Sequence, residues 1–108
     1  MHQGQPAITA EALMRSRYSA YVLNLEDYLL ATWHPDTRPV QLDLSGGDIT
    51  KWLGLHIKQV SNTDADNATV ELVARYKTHG KAERLHEVSR FIRLDNRWFY
   101  LDGRFPED

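Results

Sequence analysis

Residues 69–78 alternate apolar and polar side chains, and two more strands follow across two-residue turns, a pattern that leaves few folds open. Residues 69–78 set Val70, Leu72, Ala74 and Tyr76 on one face of a strand. His79-Gly80 turns the chain, residues 83–94 form a long strand, and Asp95-Asn96 turns it again before an aromatic strand at 97–102. Strands joined this closely pair antiparallel, as a meander. Upstream, residues 55–60 are a moderately apolar strand followed by a polar turn at 62–67. A sheet this rich in aromatics needs helices over one face to stay in solution.

The first third of the chain supplies them. After a lead-in at residues 1–8, Thr9 is a good N-cap, Ile8 and Leu13 sit at hydrophobic-staple spacing, and Glu11 suits the helix dipole. The pattern predicts a helix over residues 10–22. Asn24 is expected to cap a second helix, with Leu23 and Tyr28 as its staple. That helix must stop near Trp33, because His34 precedes Pro35 and is pushed out of the α region. Residues 36–39 read as a turn, and 40–44 alternate over too short a span to decide. Asp48 is expected to cap a short helix at 49–53 that Gly54 ends. Helices first and antiparallel strands afterwards spell α+β, in one domain over residues 9–108.

The first helix carries an arginine inside its apolar stripe. Ala10, Met14, Tyr18, Tyr21, Val22 and Leu25 project to one side, Arg17 falls between Tyr21 and Leu13, and Ser16 and Ser19 point away. A guanidinium there needs acceptors, because burying it unpaired costs several kcal/mol, roughly. Arg15, at the stripe edge, is expected to stay solvated.

Composition removes several function classes. The 108 residues carry a net charge of −2, which argues against a dedicated binder of nucleic acid or anionic membranes. With no cysteine there is no disulfide, thiolate nucleophile or cysteine zinc site, and a reducing cytoplasm suits the chain. No apolar run reaches transmembrane length, and residues 1–6 do not form a signal peptide. The histidines at 2, 34, 56, 79 and 86 lack metal-ligand spacing. Gly46-Gly47 lacks the residues of a phosphate loop. Neither a metal nor a cofactor is implied.

Several motifs together resemble the YchJ-like bacterial family. They are Pro6-Ala7-Ile8-Thr9-Ala10-Glu11-Ala12-Leu13-Met14-Arg15-Ser16-Arg17-Tyr18-Ser19-Ala20-Tyr21, Thr32-Trp33-His34-Pro35, Trp52-Leu53-Gly54-Leu55, Leu85-His86-Glu87-Val88-Ser89-Arg90-Phe91 and Trp98-Phe99-Tyr100-Leu101-Asp102-Gly103. The resemblance implies a fold similar to nuclear transport factor 2, a cone-like curved antiparallel sheet of about four strands wrapping the N-terminal helices around a pocket. Family members commonly carry a cysteine-rich SEC-C zinc module before this domain. This chain has no such cysteines, and its opening at His2-Gln3-Gly4 is similar to the tail just beyond that module. Zinc binding is therefore not carried over. The resemblance brings no established activity with it, and in relatives the domain would work beside zinc modules that engage other macromolecules.

The candidate pocket residues are Arg17, Tyr18, Trp33, Glu87, Ser89, Tyr100 and Asp102. Arg17 reads either as an anion contact on the pocket floor or as a structural salt bridge to Glu87 or Asp102. Adjacent strand residues point to opposite faces, so His86 cannot pair with Glu87 or Ser89 on a regular strand. Glu87, Ser89 and Phe91 are expected to face the helices, leaving Glu87 as a candidate general base or a structural acid. Trp98, Tyr100 and Asp102 are expected to share a face, which brings Tyr100 and Asp102 towards Arg17. The facing assigned to Glu87, Ser89 and Phe91 assumes a regular strand over residues 83–94, since a bulge there would invert its parity. The aromatics read equally as pocket lining and as core, and His34 as a partner of the last carbonyls of the second helix. Lys81, Arg84, Arg90, Arg93 and Arg97 form a basic patch diluted by acids, expected to be a solvated face.

The sequence thus points to a non-catalytic domain that binds a small molecule or a protein, or acts as a scaffold. An isomerase, dehydratase or hydrolase using Glu87 is the alternative. A homodimer through the outer sheet face stays open.

Overall fold

The computed structural model describes residues 9–42 and 50–106. The lead-in, the Ile8 staple, the Asp48 cap and Gly46-Gly47 lie outside them.

Helix α1 spans Ala10–Val22, and Thr9 caps it by accepting the Ala12 N–H on its hydroxyl at 3.0 Å. Its C-terminus differs from expectation. Asn24 adopts φ 58°, the Leu25 N–H reaches Ala20 O at 2.8 Å and the Asn24 N–H reaches Tyr21 O at 3.3 Å. That is the Schellman closure, in which asparagine tolerates the left-handed position. Asn24 therefore ends α1 rather than starting the next helix. Helix α2, Glu26–Ala31, begins at Leu25 without a side-chain cap.

Four strands follow: β1 Thr50–Asp64, β2 Asn67–Thr78, β3 Lys81–Leu94 and β4 Arg97–Arg104. They form an antiparallel meander in the order β1-β2-β3-β4. The turns at His79-Gly80 and Asp95-Asn96 hold all four residues at positive φ, the mirror-image hairpin turn that matches strand twist. Residues 50–53 are strand and not helix. There Trp52 faces Tyr76 across β1 and β2 and meets Tyr18 and Tyr21 of α1, an apolar contact that overrides local propensity. Gly54 stops nothing; it sits at the first of three register shifts in β1. The shifts leave Leu53, Lys58 and Thr63 as extra residues against β2. Each bulge bends and twists the strand, which curves the sheet around α1.

The inner face buries Ala68, Val70, Leu72, Ala74, Phe91 and Trp98 against Ala10 and Leu13 of α1. Hydrophobic burial here follows the alternation of β2 residue by residue. The buried line of α1 is rotated from the expected stripe, since Ala10, Leu13, Arg17 and Ala20 are its buried residues while Val22 and Leu25 are exposed. Arg17 is thus central. Ser16 does not point to solvent: its hydroxyl meets the Tyr28 hydroxyl at 2.6 Å, tying α1 to α2. Among the described residues no helix is long and apolar enough to cross a membrane.

Candidate functional site

Arg17 is 2% exposed, and its acceptors are neutral. One guanidinium nitrogen, Nη1, donates to Leu29 O at 2.8 Å and to Thr32 Oγ1 at 2.6 Å. Thr32 in turn donates to Tyr28 O at 2.8 Å, so the end of α2 is the acceptor for Arg17. The guanidinium carbon lies 4.6 Å from the Tyr100 ring centroid and 5.1 Å from that of Trp33. Both distances are within cation–π range. No carboxylate among the described residues lies within ion-pair distance of it, so the expected salt bridge to Glu87 or Asp102 is absent. Burial lowers the Arg17 pKa, and the nearby phenols of Tyr21, Tyr100 and Tyr28 and the Glu87 carboxylate oppose that.

The chain after α2 brings Trp33 here by pairing with the sheet edge. The His34 N–H donates to Tyr100 O and the Tyr100 N–H to Thr32 O, each at 2.8 Å, making a parallel bridge of Trp33 with Tyr100. The two rings meet edge to face at 4.9 Å. The Trp33 indole N–H is enclosed with no acceptor among the described residues. His34 does not bond helix carbonyls through its ring; Nδ1 accepts the Asp36 N–H at 3.0 Å.

Glu87 holds the other side of the cluster. Its Oε2 accepts from Ser89 Oγ and from the Tyr100 hydroxyl, both at 2.9 Å. Burial first, then the adjacent Glu87 charge and the hydrogen bond to it, push the Tyr100 phenol far above its ordinary value. Gly103 makes room for this carboxylate. A Cβ at that position would collide with Glu87 Oε2, Cδ and Cγ. Sequence reasoning passed over Gly103, although a glycine inside a strand signals a bulge or a close approach. Leu29 O and Thr32 were missed too. A backbone acceptor carries no residue signature, and Thr32 reads locally as a helix end.

Asp102 does not join the cluster. Between the pairs Phe91 with Tyr100 and Arg90 with Asp102, β4 carries one extra residue, Leu101. This bulge inverts the parity beyond Tyr100. Trp98 and Tyr100 face inwards as expected, but Asp102 turns to the outer face and Gly103 takes the inner place opposite Ser89. Arg90 then grips Asp102 through two bonds of 2.6 Å, and its guanidinium holds the Asp102 carboxyl below the usual range.

The remaining candidates separate. Tyr18 lies with Trp52, Tyr21 and Tyr76 in a second aromatic group and makes its edge contact with Trp52 at 5.8 Å. Ser89 is buried on the inner face, while His86 is on the outer face and meets Glu71 at 2.7 Å. The expected basic patch also divides. Arg93 faces inwards over Trp98 and bonds Asp66, while Arg84 and Arg90 face out. Among the described residues no group of His, Asp and Glu could hold a metal ion. Chemically, the cluster offers a carboxylate that accepts from two hydroxyls, and among the described residues no imidazole is bonded to either.

A family model described as the YchJ middle NTF2-like domain matches residues 9–103. A UPF0225 protein of Chromobacterium violaceum is 60% identical over 102 residues, covering 91% of this chain and 75% of that protein. One from Bordetella pertussis is 58% identical over 94 residues, covering 87% and 70%. A solution structure of a SEC-C motif containing protein from Rhodopseudomonas palustris aligns at TM-score 0.83 and 31% identity, covering 95% of this chain and 83% of that one. A crystal structure of a SEC-C motif containing protein from Psychrobacter arcticus gives TM-score 0.78 and 30% identity, covering 98% and 66%.

Proposed function

The chain belongs to the YchJ middle-domain family, and from that premise we propose that it is a non-catalytic binding scaffold whose interior polar cluster is architectural. The observation that supports this reading is the enclosure of Arg17, with its bonds to Leu29 O and Thr32 Oγ1 and its two aromatic neighbours. A cation committed in this way locks α1, α2 and the β4 edge into one unit. Two of its five N–H donors are spent in this way, and at 2% exposure the group presents almost no surface to a substrate in solution. Glu87 fits the same role, since its Oε2 is the common acceptor for Ser89 and Tyr100. Recognition then falls to the surface of the domain. We assign the chain to the cytoplasm, a compartment with which its cysteine-free sequence is compatible.

Amide NMR of the labelled chain, titrated with pooled metabolites, tests the reading. The expected result is no saturable shift clustered at Arg17, Trp33, Glu87 and Tyr100. A ligand whose shifts saturate at those residues, and whose binding is lost in Glu87→Gln while the fold persists, would replace the scaffold with an enzyme or small-molecule pocket.

A further inference from the structure

The outer face of the sheet carries like charges opposite one another, an arrangement that folding alone disfavours. In the β1–β2 register Lys51 faces Lys77, and in the β2–β3 register Arg75 faces Arg84. Val70, Leu72 and Ala74 are buried on the inner face, so Arg75 and Lys77 point outwards with their partners. All four cations are exposed. They form two neighbouring rows across β1, β2 and β3. Among the described residues the outer-face acids Glu71 and Asp102 are already engaged, Glu71 with His86 at 2.7 Å and Asp102 with Arg90 at 2.6 Å. Among the described residues no carboxylate lies within ion-pair distance of Lys51, Arg75 or Lys77.

We propose that this end of the outer sheet face docks an extended acidic segment of a partner protein. Same-face side chains of an extended chain repeat about every 6.6 Å, the same two-residue step that separates Arg75 from Lys77 along β2. Carboxylates at that interval meet Arg75 and then the Lys51–Lys77 pair, and the Arg75 guanidinium offers them paired hydrogen bonds. Screening at physiological ionic strength confines the net charge of −2 to about 8 Å, so the patch acts locally. The aromatics at this end favour a protein over a nucleic acid. On the inner face Trp52 meets Tyr76 at a tilt and Tyr18 of α1 edge to face, so these rings are turned away from a base stacking on the outer face.

The test uses the 108-residue chain and a fluorescein-labelled peptide of alternating Glu and Thr, read by anisotropy at low and physiological salt. Binding should weaken steeply with salt. Lys51→Glu and Lys77→Glu should each weaken it by about tenfold or more, while Arg97→Glu, with the same change in net charge at the β3–β4 turn, should stay within about twofold. Each patch variant also turns a like-charge pair into an opposite pair, so its melting temperature should hold or rise as binding falls. That opposition of sign separates a docking role from a structural one. Three results would overturn the proposal: no salt-sensitive binding of the peptide, equal weakening by Arg97→Glu, or tighter binding of an oligouridylate of matched charge.

Discussion

Arg17 and Arg90 lie on opposite faces of one sheet and solve the same problem differently. Arg90 meets a carboxylate bidentately with both side chains half in water, 59% and 43% exposed. Arg17, buried, takes a carbonyl, a hydroxyl and two ring faces. The contrast teaches where a charge can be stabilised cheaply. Solvent screens the outer pair down to a small net contribution. Inside, neutral dipoles and ring faces hold the guanidinium directly, and the Glu87 carboxylate acts on it only from beyond ion-pair distance.

The largest expected effect breaks the inner arrangement. Arg17→Ala leaves Leu29 O with only the longer bond from Thr32 Oγ1, at 3.3 Å, and opens a void beneath Trp33 and Tyr100. Urea unfolding should show a loss of about 3–5 kcal/mol. Arg15→Ala, which removes only an exposed pair with Glu11, should cost less than about 0.5 kcal/mol. Equal losses would refute the central placement of Arg17.

Gly103→Ala should come next, at about 1–3 kcal/mol, because the new Cβ expels the Glu87 carboxylate from its two donors. In a Glu87→Ala background the same change should cost markedly less. Additive losses in that double-mutant cycle would show that the two residues do not share a space.

Tyr100 sharpens the comparison through pH. Its folded pKa is raised above the ordinary 10.0, so the unfolded phenol ionises first and stability falls as pH rises beyond that value. Tyr100→Phe should flatten the alkaline limb of the stability profile, measured by chemical denaturation across that range. An unchanged limb would place the phenol in water.

The smallest effect belongs to the outer pair. Asp102→Asn should cost no more than about 0.5 kcal/mol at low salt and nothing measurable at high salt. Because Arg90 depresses the folded pKa of Asp102, this contribution is present above the ordinary 3.8 and disappears as pH falls through the depressed value. A salt-insensitive loss as large as that of Gly103→Ala would erase the distinction between the faces.

Much of this architecture was legible in the chain. The alternation of residues 69–78 named the inner face of β2 residue by residue, because one side of a strand must find the core. His79-Gly80 and Asp95-Asn96 named their turns, because few residues tolerate positive φ. Thr9 set the start of α1, and the arginine in the stripe announced a polar spot before any partner was known. The fate of residues 50–53 was not legible, because their strand state depends on Trp52 reaching aromatics on α1 and β2, far away in sequence.

From the sequence came the two N-terminal helices, the antiparallel meander after them and the demand that Arg17 be satisfied. These follow from local periodicity, turn chemistry and the cost of desolvation. Only the tertiary structure decided who satisfies it. One extra residue at Leu101 turned Asp102 outwards and brought Gly103 beneath Glu87, and the end of α2 supplied the acceptors that no carboxylate did. Register is a property of two strands together, and a backbone carbonyl leaves no mark in a sequence.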